Sequence, residues 1–201
     1  MTDNIIYIKD IPTPPVDKRE VLRYAGVRES DENTELLLDQ CINEVSNKLA
    51  YKVCYGEFDI SFSDDAVDLG FAKTTSVSLR KRLDGCNKII LFCASVGVEI
   101  DRLITRYSIV SPSRAVILQA LGSERVEALC DAFCEEVKGE LKRENSDITH
   151  RFSPGYGDLP LALQSDIFLA LNPTKRLGVV LNDNLFMSPS KTVTAIIGIK
   201  M

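Results

Sequence analysis

The sequence has very little histidine: His150 is the only one among 201 residues. A metal site or a proton relay built from several histidines is therefore excluded. The six cysteines include no Cys-x-x-Cys pair. Cys130 and Cys134 could share one helix face, but no histidine or further cysteine close by offers the remaining ligands that zinc needs. The pattern favours cysteines that act as small buried hydrophobic side chains.

Long hydrophobic runs and a surplus of basic residues are also missing. No apolar run approaches the roughly 20 residues that a membrane helix needs. The start, MTDNIIYIKD, lacks the basic segment and the apolar stretch of a signal peptide. The net charge of −5 argues against a nucleic-acid binder, which usually carries excess positive charge. We expect a cytoplasmic protein that binds neither nucleic acid nor membrane.

The common signatures of phosphate cradles and of hydrolase nucleophiles are absent as well. The sequence contains no Gly-x-Gly-x-x-Gly, no Gly-x-x-x-x-Gly-Lys-Ser/Thr and no Gly-x-Ser-x-Gly. A cysteine nucleophile could use only His150 as its base, and no spacing recommends such a pair. We therefore predict no catalytic residue and no metal ligand in this chain.

The hydrophobic pattern predicts an α+β fold of one domain over residues 1–201, with a mostly antiparallel or mixed twisted sheet and several helices. IIYIK, residues 5–9, and NKIILFCASVG, residues 87–97, have the β-branched bias of strands. A long helix is predicted over about 113–143. Residues 1–30 would form an N-terminal strand and arm. Residues 151–201 would form a loop, a helix and a C-terminal hairpin of LNDNLFM and TVTAIIGI, with the turn at residues 188–191.

One stretch, RFSPGYGDLPL at residues 151–161, is unusual for a simple connection between helices. A turn needs its prolines and glycines, but it needs neither Arg151 in front of them nor Tyr156 among them. Taken singly, these residues favour a helix-linking turn. The alternative, a binding loop, depends on what accompanies them.

The accompanying motifs resemble the activation domain of cobalamin-dependent methionine synthase, the module that binds S-adenosylmethionine. Its core signature is an arginine, a proline three residues on, and Gly-Tyr, present here as Arg151, Pro154, Gly155 and Tyr156. The likeness continues downstream and upstream, and it covers the helix LALQSDIFLAL, Leu177-Gly178, the turn Met187-Ser188-Pro189, the strand 191–195, and Ser123, Glu127 and Ala128. The whole chain looks most like the short, free-standing relatives of this domain.

The resemblance implies that Arg151, Pro154, Gly155, Tyr156 and Glu127 bind S-adenosylmethionine. A guanidinium can hold the ligand's carboxylate with two hydrogen bonds, and Tyr156 can face the sulfonium cation. Gly155 would let the backbone approach the nucleoside and leave amides free for adenine. Glu127 is the candidate for the ligand's ammonium group, although a glutamate on a long helix is often only solvated.

Three neighbouring residues are expected to have structural roles. Asp158 is predicted to cap the N-terminus of a helix. Met187 and Pro189 are predicted to hold the hairpin against the loop.

The function implied by the resemblance is reactivation of oxidised cobalamin. In that family an electron from a flavodoxin-like donor and a methyl group from S-adenosylmethionine convert cob(II)alamin back to methylcobalamin. This sequence has no Asp-x-His-x-x-Gly motif, so cobalamin is expected on a partner, the core of a methionine synthase. It departs from the fused family members in lacking folate, homocysteine and cobalamin domains, and their N-terminal ligand-facing aspartate has no assigned counterpart here. The alternative is a non-catalytic S-adenosylmethionine sensor, or an accessory factor for another corrinoid methyltransferase.

Overall fold

The fold is organised around one antiparallel sheet. The computed structural model describes residues 4–143 and 146–200. The main sheet has the strand order β1-β2-β6-β10-β7, and every neighbouring pair in it is antiparallel. The strands along the chain are β1 (Ile6–Asp10), β2 (Lys52–Asp59), β3 (Ser61–Phe62), β4 (Val67–Asp68), β5 (Lys73–Thr74), β6 (Cys86–Ser95), β7 (Asp147–Ile148), β8 (Val180–Leu181), β9 (Met187–Ser188) and β10 (Thr192–Lys200).

Helices cover both faces of this sheet. They are α1 (Lys18–Tyr24), α2 (Glu32–Val45), α3 (Val77–Arg82), α4 (Glu99–Val110), α5 (Pro112–Lys142), α6 (Leu163–Leu171) and α7 (Pro173–Leu177). Two of the short helices begin at side-chain caps: the Asp17 carboxylate accepts from backbone N–H groups of α1, and the Ser76 hydroxyl accepts from Leu79 N. Such caps satisfy N–H groups that have no partner inside the helix.

Strand β10 contributes to two hydrophobic cores, one on each face of the sheet, because side chains alternate across a strand. Ala195 and Ile197 pack in the core on the α5 side, together with Leu118 and Phe133. Ile196 packs in the other core, which includes Leu79, Leu163 and Ile167 from α3 and α6. Residues next to each other on β10 therefore face different helical layers, and this alternation continues into the candidate site.

The predicted α+β class is confirmed, and so are the strand near the N-terminus and the long helix, here α5. The cysteines on α5 have the predicted character: Cys130 is fully buried and Cys134 packs against the core. Burial raises the pKa of Cys134 to about 11, so this thiol is neutral at pH 7. Neither residue has the properties of a reactive cysteine.

The predicted C-terminal hairpin is wrong. β10 pairs with β6 along its whole length and with β7 at its end, while the reversal of the chain lies earlier, between β8 and β9. The Asn182 side chain accepts hydrogen bonds from Asn184 N and Phe186 N, which curls residues 182–186 into a loop. The local alternation of LNDNLFM suggested a strand, but this side-chain turn prevents one.

Within residues 4–143 and 146–200, the helices are all too short or too polar to cross a lipid bilayer.

Candidate functional site

The loop at residues 151–161 starts as an extension of the sheet and then leaves it. Phe152 and Ile196 exchange two backbone hydrogen bonds, each 2.9 Å long. Two residues later the chain turns away at Pro154, which is buried. The backbone of Arg151 is therefore held in place by the pairing of its neighbour Phe152 with the sheet. A cleft opens where the loop and the edge of β10 separate.

The far end of the loop is tied to helix α3 by Asp158. Its carboxylate accepts from the Ser76 hydroxyl at 2.6 Å, from Val77 N at 2.7 Å and from Ser78 N at 3.1 Å. These hydrogen bonds, that from Ser76 first, hold the pKa of Asp158 well below its usual range. Asp158 does cap a helix, as predicted, but the helix is α3 and not α6, which follows it in sequence.

This anchor predicts a pH dependence of stability. Because the folded pKa of Asp158 is depressed, its stabilising contribution is complete above the ordinary aspartate pKa of about 3.9 and is lost as the pH falls towards the folded value. Between pH 5 and pH 3, we expect the melting temperature of Asp158→Asn to fall less than that of the wild type. Asp183→Asn, at an exposed loop aspartate, should keep the wild-type slope. Parallel pH profiles for wild type and Asp158→Asn in thermal denaturation would contradict the anchor.

The cleft beside the loop has a volume of about 520 Å³, within the range of small-molecule sites. Four of the five predicted binding residues line it: Glu127, Arg151, Pro154 and Tyr156. The remaining lining comes from the sequence neighbours of Arg151, from α3, from α6 and from the strands β9 and β10; these residues are Arg82, His150, Phe152, Ser153, Gln164, Met187, Thr192, Val193 and Thr194. The structure thus brings the two matched motifs and α5 together around one cavity.

Arg151 is held by two carboxylates of α5. Its Nη2 donates to Glu127 Oε2 at 2.6 Å and to Asp131 Oδ1 at 3.0 Å. Burial works against the charge of Arg151, yet the nearby Cys130, Glu127 and Asp131 more than offset it, so its pKa is raised. Nε and Nη1 of Arg151 make no hydrogen bond to any residue in the described ranges. The guanidinium is therefore held in place through Nη2, and its Nε and Nη1 donors remain free to bind a ligand.

Asp131 was not among the predicted binding residues, although a signal for it was present. It stands four residues after Glu127 on the same helix, a spacing that puts two side chains on one face. The geometry adds it to the candidate site as a second carboxylate beside Arg151.

Gly155 contributes in a different way from the one predicted. It does not line the cleft, and its N–H donates to Leu159 O at 2.9 Å, while Tyr156 N–H donates to Ser153 O at 3.2 Å. The expectation that these amides are free for adenine is wrong, because they close the loop. Glycine is required at this position by a φ of +88°, which other residues rarely adopt. The Tyr156 ring stands 71% exposed at the edge of the cleft.

The turn after β9 is fixed to helix α4. Ser190 N donates to Asp101 Oδ2 at 2.7 Å, and its hydroxyl donates to Oδ1 of the same carboxylate. Pro189 is buried in this turn, which agrees with its predicted structural role. Met187, also predicted to be structural, pairs with Leu181 and in addition forms part of the cleft wall.

No protein-family model and no curated protein matches the sequence. Among solved structures the chain is similar to a protein described as the MetH reactivation domain bound to AdoHcy, with a TM-score of 0.72 and 15% sequence identity. The similarity covers 96% of this chain and 78% of the other. At this identity the similarity establishes the fold, so the chain has the fold of that reactivation domain, as the motifs predicted.

Proposed function

We propose that this domain binds S-adenosylmethionine and positions it for the reductive methylation of cob(II)alamin on a cobalamin-dependent methionine synthase, in methionine biosynthesis. One observation supports this above the others. A chain with the fold of an AdoHcy-bound reactivation domain has Arg151, Glu127, Pro154 and Tyr156 around one cleft. AdoHcy is what remains of S-adenosylmethionine after its methyl group has been transferred.

The charges of the cleft suit the amino-acid end of this ligand, which carries a carboxylate and an ammonium group. Nε–H or Nη1–H of Arg151, which have no partner among the described residues, can donate a charge-assisted hydrogen bond to the carboxylate. Glu127 and Asp131 can accept from the ammonium group while they keep the guanidinium in place. Each charged group of the zwitterion therefore meets a group of opposite charge, which lowers the cost of burying it.

The other end of the cleft suits the sulfonium and the nucleoside. The exposed ring of Tyr156 can move over the sulfonium, because a cation near an aromatic face is attracted to it. Met187 adds a polarisable apolar surface to the wall of the cleft.

The role of this chain in the reaction is to hold and orient the methyl donor. S-adenosylmethionine supplies the methyl group and becomes AdoHcy. A reductant, in our proposal a flavodoxin-like protein, supplies one electron. The sequence contains no cobalamin-ligand motif, so we place the corrinoid on the synthase core. Fixing the donor next to its acceptor removes the entropic cost of a bimolecular encounter, which is a large part of such a barrier. We place this activity in the cytoplasm.

The proposal is tested in two steps. Calorimetric titration of the isolated protein with S-adenosylmethionine and with AdoHcy should show saturable one-to-one binding. An oxidised synthase core, given S-adenosylmethionine and a reductant, should then regain turnover when the protein is added. Absence of binding would overturn the ligand assignment. Binding without any gain in turnover would overturn the reactivation role and favour a sensor or a factor for another corrinoid methyltransferase.

A further inference from the structure

One polar side chain in the cleft lies in the matched helix but has no predicted ligand-binding role. Gln164, near the start of α6, is buried, with only 5% of its surface exposed. Its Oε1 accepts from the Thr194 hydroxyl at 2.8 Å, and its Nε2 has no protein partner in the described ranges. Buried amides normally make their hydrogen bonds, so a group that lines a cleft with both N–H donors unused points to a ligand.

The neighbouring edge of β10 offers unused backbone groups. Ile196 bonds outward to Phe152, and Gly198 bonds outward to Thr149. Backbone groups of alternate residues in an antiparallel strand point to the same side, so the N–H and C=O of Thr194 point to this side too. The chain turns away at Pro154, which has no N–H to give. Thr194 therefore presents one donor and one acceptor to the cleft.

The two ends of the cleft differ in chemistry because they lie on different faces of the sheet. Val193 faces the α5 layer, where Glu127 and Arg151 supply charges. Thr194 faces the α6 layer, where its hydroxyl bonds to the neutral Gln164. The paired charges of Glu127 and Arg151 suit the charged groups of a ligand, and the position next to Gln164 suits a neutral group with several hydrogen-bonding atoms. Arg82 of α3 also lines this second side of the cleft.

We propose that Gln164 and the backbone edge of Thr194 form a subsite that reads the purine base of the ligand. This inference rests on the proposed function. Adenine presents an amino donor next to a ring-nitrogen acceptor, which matches the C=O and N–H of one strand residue. The Gln164 carboxamide donates to a further ring nitrogen, and the Thr194 hydroxyl sets its orientation by holding Oε1. The amides of Gly155 and Tyr156 donate within the loop, so they are not available to bind the base.

The role of Gln164 is tested with Gln164→Leu, titrated with AdoHcy and with its 1-deaza, 3-deaza and 7-deaza analogues. We expect the variant to bind AdoHcy about tenfold more weakly, the effect of one lost hydrogen bond at a desolvated site. With the analogue that lacks the nitrogen read by Gln164, variant and wild type should bind equally. Ser165→Ala, an exposed neighbour on the same helix, serves as the matched control and should bind like the wild type.

The role of the strand edge is tested with S-inosylhomocysteine, which carries an oxygen in place of the amino group. Wild type should bind it at least tenfold more weakly than AdoHcy, because the Thr194 C=O would face another acceptor. Equal affinity for the two compounds overturns the base-reading edge. A loss in Gln164→Leu that is the same for AdoHcy and every deaza analogue, or no loss at all, overturns the role of Gln164. Failure of wild type to bind AdoHcy would instead count against the proposed function itself.

Discussion

Replacing Glu124 by alanine is expected to lower the free energy of unfolding by about 3–5 kcal/mol, the usual cost of removing one partner from a buried ion pair. Glu124 and Arg125 are adjacent on α5 and both are buried. The two guanidinium nitrogens Nε and Nη2 of Arg125 donate to the two oxygens of Glu124. Without the carboxylate, the charge of Arg125 would remain buried with only neutral partners. Urea denaturation measures the difference.

The loss should reach beyond this pair, because the pair holds the segment between β1 and α1. Arg125 donates to Pro14 O at 2.6 Å and to Pro15 O at 2.7 Å, and Glu124 accepts from Asp17 N at 3.0 Å. The two prolines have no N–H group to donate, and the carbonyls of both accept from this arginine. We expect residues 11–17 to lose hydrogen-exchange protection and protease resistance in Glu124→Ala.

A matched substitution shows whether burial is the cause. Glu20→Ala removes a glutamate whose partner, Arg23, is an exposed i,i+3 neighbour, and it should cost at most about 0.5 kcal/mol. The double variant Glu124→Met with Arg125→Met should be less destabilised than Glu124→Ala, because it leaves no buried charge. A loss below about 1 kcal/mol for Glu124→Ala would contradict the buried-pair account.

Local patterns were enough to predict those parts of the fold that depend on neighbouring residues. The Ser76 cap follows from a hydroxyl placed before a helical pattern, and β6 follows from a run of β-branched residues. The loop containing Arg151 was recognised because two motifs occur in the right order and spacing. Its position in a cleft with Glu127 agrees with that recognition.

The features that the sequence could not predict depend on contacts between distant segments. Asp158 caps a helix about 80 residues earlier in the chain, and no local pattern contains that partner. Gln164 reads as a polar residue at the start of an apolar helix, and its importance comes from Thr194 on another element. Glu124 and Arg125 are adjacent, and adjacent helical residues do not normally face each other, so the pattern gave no reason to pair them.

The second large effect is expected at Arg151. Arg151→Ala should raise the Kd for AdoHcy about 100-fold, or ~2.7 kcal/mol, near the upper end for hydrogen bonds to a charged group. Two causes act together. The ligand's carboxylate loses its charged hydrogen-bond donor, and Glu127 and Asp131, no longer neutralised, repel that carboxylate. Arg151→Lys should fall in between, because lysine keeps the charge but lacks the separate donors with which one guanidinium can bind Glu127, Asp131 and the ligand together. Calorimetric titration measures all three proteins.

A ligand without the amino-acid end separates this role from a general loss of structure. 5′-Methylthioadenosine has the nucleoside and the sulfur but neither carboxylate nor ammonium, so Arg151→Ala should bind it within about threefold of wild type, since no hydrogen bond to a charged group is lost. Arg19→Ala, an exposed arginine on α1, should bind both compounds like wild type. If Arg151→Ala weakens both compounds equally, Arg151 shapes the loop and does not hold the carboxylate. A loss confined to AdoHcy assigns the amino-acid end of the ligand to the α5 side of the cleft. The adenine base of the ligand would then lie on the α6 side of the cleft, next to Gln164.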